Sequence, residues 1–478
     1  MGGLSRRAYA IKQQSGQQKD NPVLVLDAGA LLFDRHSLAP SQLAAKKIQA
    51  EGIMQAMSAM QYSAIGVSSY DLAAGSEFLE HMQKKYQVPF VSMNLVRKPD
   101  GKPVFTPYIL KQLGDASVAV LGLSDISAAS SQHGDLSALS WQETLPQIVD
   151  EAAGKAEMII LLSSFPEQIN REIANRFKNI NLILQSAGST ANRAPKLTGN
   201  TLIAQTASQG KYVGMIDIAW NPEGKWRQEA FSGEYKDIKD RLDRVNWRLN
   251  RMEKQSSPRN LEENSQYVEL QKTGSELLAE LEKLSRQEQQ AAQGLSTYRG
   301  TFIALLTSFP EDPEVQAIIN ANKTAVYEIN KKSLDEFRQK NVQTERAASM
   351  AGWKACLSCH PDQTGNWHET AHARAWETLA AVKQQLNQDC LICHVTLPTY
   401  DRETVIRENL IISLSPEFHG VSCESCHGPG KKHVDAPEKN KLRRPSEETC
   451  ITCHTPDQDD NFDFARKLKI LGCPTAGK

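Results

Sequence analysis

The pentapeptide Cys-x-x-Cys-His occurs four times in the last third of the chain: Cys356-Leu-Ser-Cys359-His360, Cys390-Leu-Ile-Cys393-His394, Cys423-Glu-Ser-Cys426-His427 and Cys450-Ile-Thr-Cys453-His454. Two thiols one helical turn apart can each add to a vinyl group of a porphyrin, and the adjacent imidazole is then held beneath the iron as its proximal ligand. A single copy also suits a zinc or redox site. Four copies do not, because zinc would need partner ligands at finger spacing and would leave four further histidines unexplained. The repeat therefore predicts four covalently bound c-type haems.

Those further histidines are His368, His372, His419 and His433; with the four motif histidines they make up eight of the eleven in the chain. One spare imidazole per iron is the count that bis-histidine ligation requires. Met350 is the single methionine after residue 345, so histidine–methionine ligation is largely excluded. Eight of the nine cysteines lie in the motifs. The ninth, Cys473, is either a free thiol or one half of an intermolecular disulfide.

Haem attachment of this type takes place outside the cytoplasm, so the protein is expected to be periplasmic or extracellular. The opening "MGGLSRRAYAIKQQSGQQKD" has no apolar core of a signal peptide, and no stretch is long enough to span a membrane. A signal peptide is accordingly expected upstream of Met1. A formal charge of −1 over 478 residues gives no reason to expect nucleic acid as a partner. Redox proteins acting as donor and acceptor are the partners expected.

Several domains are predicted. Over 1–232, short apolar runs such as "PVLVLDAG", "SAIGV", "ASVAVLGLS", "AEMIILLSS" and "TLIAQTA" alternate with amphipathic stretches at 41–60 and 143–154. The runs read as buried strands and the stretches as helices, which makes an α/β domain. Over 233–295, Ile238, Leu242, Val245, Leu249 and Met252, then Tyr267, Leu270, Leu277, Leu281 and Leu284, keep a heptad rhythm on either side of "QSSPRN". That pattern predicts an antiparallel helical hairpin, a spacer or a seam that could pair two copies of the chain. Residues 296–344 read as a connecting segment with one apolar run and a helix. Residues 345–478 have few apolar runs and are expected to wrap short helices and loops around the haems.

The phrases "CLSCHPDQTGNWHETAHARAW", "CLICHVTL", "GVSCESCHGPGKKH" and "CITCH" resemble the tetrahaem cytochrome c family of ammonia-oxidiser electron carriers, over about 130 residues. In that family a histidine beyond a motif ligates a neighbouring motif's iron. The resemblance extends this to His372 and His433, and less closely to His419 and His368. It also allows one haem to remain five-coordinate.

The stretch from "NPVLVLDAGALLFD" to "GKYVGMIDI" resembles the calcineurin-like metallophosphatase domain of periplasmic 5′-nucleotidases. Those enzymes hold two metals through Asp, Asn and His at strand ends. Here Ala30 ends "DAGA", Val67 and Ser68 stand where Asn and His belong, Ser164 replaces a His, and "QSAGS" (185–189) has neither expected His. Asp27 and Asp71 remain. Hydroxyls and methyls do not hold a dinuclear divalent site, so the domain is expected to be an inert scaffold. The reading is an exported multihaem electron-transfer protein; the alternative is a multihaem reductase or oxidase of small nitrogen species with one open haem.

Overall fold

A computed structural model describes residues 3–17, 22–127, 135–186, 191–223, 225–227, 233–253, 264–291, 294–306, 308–339, 348–401, 404–405, 415–455, 458–459 and 462–471. In chain order the strands are β1 (Leu26–Asp27), β2 (Ala64–Gly66), β3 (Phe90–Val91), β4 (Leu95–Arg97), β5 (Tyr108–Leu113), β6 (Ala116–Leu123), β7 (Leu136–Ala138), β8 (Met158–Ser163), β9 (Leu182–Gln185), β10 (Arg193–Thr198), β11 (Thr201–Gln205), β12 (Tyr212–Ala219) and β13 (Thr297–Ala304). The longer helices are α1 (Leu4–Gln17), α2 (Pro40–Ala59), α3 (Ser76–Tyr86), α4 (Trp141–Ala153), α5 (Glu167–Arg176), α6 (Gly233–Glu253), α7 (Ser265–Ala291) and α8 (Pro313–Gln339).

The chain folds as two units, one of residues 1–31, 61–69 and 88–309, the other of 32–60, 70–87 and 310–478. The first unit is a sandwich. Its larger sheet runs β10-β11-β9-β8-β6-β5, parallel through the middle four strands and antiparallel at both edges. Side chains on alternate positions of β6 and β8 enter different cores, which is why both strands read as unbroken apolar runs. Leu121, Ile159 and Leu161 pack with Leu145 and Val149 of α4 and Ile173 of α5. Val118, Val120 and Ile160 face the other way, toward Ala64, Val91 and Trp226. The three-stranded parallel sheet β1-β2-β3 lies on that side, and a Cβ on Gly122 would clash with the Val91 carbonyl.

β12 pairs along its full length with β13, from Tyr212 opposite Ala304 to Ala219 opposite Thr297. The intervening α6 and α7 pack through Ile238, Leu277 and Leu281, flanked by Leu242, Val245 and Leu284. Ile238 meets the far end of α7 and Val245 faces Gly274, so the two helices are antiparallel. The turn between them lies outside the described residues. Within 296–344 the apolar run forms β13, the partner of β12, and the helix after it is α8.

In the second unit α2 packs on α8, where Gly52 leaves room for Asn322 and the Asn322 amide donates to the Ile48 carbonyl at 2.6 Å. Ala50, Met54 and Met57 of α2 are fully buried. Beyond α8 the described α-helices are five to eight residues long and joined by loops, with a small apolar cluster of Leu379, Leu391, Val395, Leu397 and Val405. Among the described residues no helix is long and apolar enough to cross a membrane.

Candidate haem-binding site

Each Cys-x-x-Cys-His motif sits on or just beyond a short helix: Trp353–Leu357, Gln388–His394, Cys423–His427 and Glu447–Ile451. Helical pitch places residues three apart on one face, so both thiols of a motif point the same way. The turn continues to the histidine, with His360 N–H donating to the Cys356 carbonyl and His454 N–H to that of Cys450, each at 2.9 Å. The motifs meet in pairs. Cys356 of the first hydrogen-bonds Cys423 of the third, and Cys453 of the fourth hydrogen-bonds Cys393 of the second. That contact, with burial, raises the Cys356 and Cys453 thiols well above the ordinary range. Burial is the main cause that pushes Cys390 up to about 11.

Two histidine pairs face one another. His360 of the first motif lies 6.4 Å from His433, ring centroid to centroid, with the planes 23° apart. His454 of the fourth motif lies 6.1 Å from His372, at 57°. Two imidazoles each bonded at about 2 Å to one metal have centroids roughly 6 Å apart, and both separations match that distance. The tautomers fit as well. Nδ1 of His394 points at the Ala375 carbonyl (2.9 Å), that of His427 at Arg443 (3.0 Å) and that of His433 at Asn440 (2.8 Å). A carbonyl oxygen only accepts, so the proton is on Nδ1 and the Nε2 lone pair is left for a metal. Burial, then the neighbouring His454 and Lys467, lowers the pKa of His372, which favours the neutral form that a ligand needs.

His419 and His368 are held differently. The His419 ring stacks 3.6 Å from the Trp376 indole, and burial lowers its pKa. His368 is set between Trp353 and Trp367, 4.7 Å from each. Among the described residues no second imidazole faces His394 or His427 as His433 faces His360. Cys473 lies outside the described residues.

Glu424, buried inside the third motif, was given no role by sequence reasoning. Its carboxylate accepts backbone N–H groups of Ala351 (2.9 Å), Gly352 (2.9 Å) and Gly430 (2.6 Å). One side chain thereby fastens the start of the first motif's helix and the Gly-Pro-Gly turn to the third motif. Gly428 takes φ +84°, a left-handed conformation that favours glycine, and the turn carries the chain back so that His433 reaches the first motif rather than its own. Arg443 Nε donates to the Cys426 carbonyl at 3.1 Å and holds the other side of the loop. Near the second motif, Lys46 of α2 bonds Asp389 at 2.5 Å and Asp34 at 3.2 Å.

At the expected metallophosphatase positions, hydroxyls tie loops together. Ser68 Oγ accepts Ala30 N–H at 3.0 Å, and Ser164 Oγ accepts Asp125 N–H at 2.7 Å. Asp27 Oδ1 caps Gly29 N–H at 2.9 Å, while in the second unit Asp71 Oδ1 accepts from Leu32 at 3.1 Å. Among the described residues no three His, Cys, Asp or Glu side chains gather as a metal site. Ala187, Gly188 and Ser189 lie outside the described residues.

Comparison with known proteins agrees with both resemblances. The chain is 34% identical over 141 residues to cytochrome c-554 of Nitrosomonas europaea, covering 22% of this chain and 58% of that protein. It is 25% identical over 167 residues to the trifunctional nucleotide phosphoesterase protein YfkN of Bacillus subtilis, covering 28% of this chain and 11% of that protein. Among solved structures, the sulfate thiohydrolase SoxB of Thermus thermophilus covers 68% of this chain and 47% of its own, at 18% identity and a TM-score of 0.46. The chain thus spans under two thirds of each curated relative. Residues 355–428, which hold the first three Cys-x-x-Cys-His motifs, match the family model described as cytochrome c554 and c-prime.

Proposed function

We propose that the protein is an exported electron carrier with four covalently bound haems and an inert metallophosphatase-like domain. The observation that carries this reading is the pair of facing imidazoles, His360–His433 and His454–His372, each at the separation one shared iron needs. The thiols of Cys356, Cys359, Cys390, Cys393, Cys423, Cys426, Cys450 and Cys453 are the attachment points, and His360, His394, His427 and His454 the proximal ligands. Bound haem supplies one-electron chemistry; the chain supplies ligands, spacing and low polarity. His433 and His372 close the first and fourth sites against exogenous ligands. The side-by-side thiols of motifs one and three, and of two and four, support close haem packing within each couple.

A second reading, a reductase or oxidase of small nitrogen species, is favoured by His394 and His427, which have no facing imidazole among the described residues. His419 and His368 are the histidines left for those two sites. Intact mass and carbon monoxide binding test both readings. The expected result is a polypeptide mass increased by four haems, with gas bound at one iron at most. Three haems or fewer would overturn the count; rapid gas binding at several irons would favour the enzymatic reading.

A further inference from the structure

We propose that Asp459 is a positioning residue that sets the fourth site, His454–His372, to a more negative potential than its own ligand set alone would give. The inference rests on the function proposed above. The three Nδ1 bonds of His394, His427 and His433 end on neutral backbone carbonyls, whereas Nδ1 of His454 meets Oδ2 of Asp459 at 2.9 Å. A charged acceptor makes the stronger hydrogen bond and draws the Nδ1 proton further from the ring. The ring then donates more strongly through Nε2, which favours ferric over ferrous iron. Second-shell hydrogen bonding is a recognised lever on haem potential.

The geometry around the pair is built to keep it. Phe462 stacks on the His454 ring at 4.9 Å and 25°. Lys467, on the C-terminal helix Phe464–Leu471, bonds the same Asp459 Oδ2 at 3.1 Å. Lys467 shares the oxygen that His454 uses, so it orients the carboxylate and also tempers it. The two residues therefore act on the potential with opposite signs.

Potentiometric titration of the full-length, haem-loaded protein tests this. His372→Met first marks the fourth haem, since a methionine ligand raises its potential. Asp459→Asn keeps the shape and removes the charge. It should raise the same component, shifting its reduction equilibrium at least tenfold, or about 59 mV for one electron. Asp459→Glu should restore most of the shift, and Lys467→Met should move the component down. If His372→Met marks a component that Asp459→Asn leaves within twofold, or moves downward, the proposal is overturned while the ligand reading stands. If His372→Met moves no component, the His454–His372 pairing itself fails, and the proposal with it.

Discussion

Glu424 shows how much one buried side chain can organise. It satisfies three backbone donors from two loops, and each donor left unpaired in a buried place costs about 1–3 kcal/mol. Glu424→Ala is expected to lower the thermal midpoint markedly and to reduce haem incorporation at the first and third motifs together, while Glu424→Gln, which keeps acceptor oxygen, should lose less. Haem-stain intensity per polypeptide and a thermal melt measure both effects. The distal histidines give a second contrast. His433→Met should change the spin state or raise the potential of one haem, because His433 faces His360. His368→Met should do neither, since its ring is packed between Trp353 and Trp367. Low-temperature electron paramagnetic resonance separates these outcomes. The covalent chemistry was readable from the sequence because Cys-x-x-Cys-His is a local pattern. Which histidine faces which was not, since those partners lie 73 and 82 positions apart. Glu424 and Asp459 were missed for the same reason: an acidic residue in a loop gives no sign of what it will accept from.

Among the elements, the buried strands were easy to read and the edges were not. β6, β8, β9 and β11 have continuous apolar sequence because both faces of the sheet are covered. β5 (Tyr-Ile-Leu-Lys-Gln-Leu) and β10 (Arg-Ala-Pro-Lys-Leu-Thr) are edge strands with polar side chains toward water, so they give no strong periodic signal. The heptads of α6 and α7 gave the hairpin directly, since its packing repeats along the sequence. Leu277→Ala in its seam should cost about 2–4 kcal/mol of local stability, a typical price for a buried leucine. Hydrogen exchange along α6 and α7 would show the loss, and haem spectra should not change. The hairpin is also bracketed by a closed ladder, with Arg227 N–H donating to the Ser296 carbonyl at 2.9 Å where the chain leaves and returns. Replacing 228–294 by a short glycine-rich turn should leave the β12–β13 pairing intact and the haem spectrum unchanged; a protein that fails to fold without the segment would contradict this.

For the whole molecule, the two resemblances carry different weight. The C-terminal segment carries four Cys-x-x-Cys-His motifs, while the sandwich has Ser68 and Ser164 at two positions that the metallophosphatase resemblance assigns to histidine. Ser68 and Ser164 now bond backbone across the positions where metal ligands would stand. No metal-dependent hydrolysis of a nucleotide or nitrophenyl phosphate is expected with manganese or zinc; turnover of roughly one per second or faster would restore the phosphoesterase reading. The fold is also interleaved: residues 32–60 and 70–87 belong with 310–478, although they are made first. Some 250 residues separate the end of α2 from the start of α8, its packing partner. At a synthesis rate of about 5–20 residues per second, the face of α2 around Gly52 waits on the order of ten seconds or longer before Asn322, which packs against it, is made. During biogenesis that interval is a window in which this face of α2 is exposed.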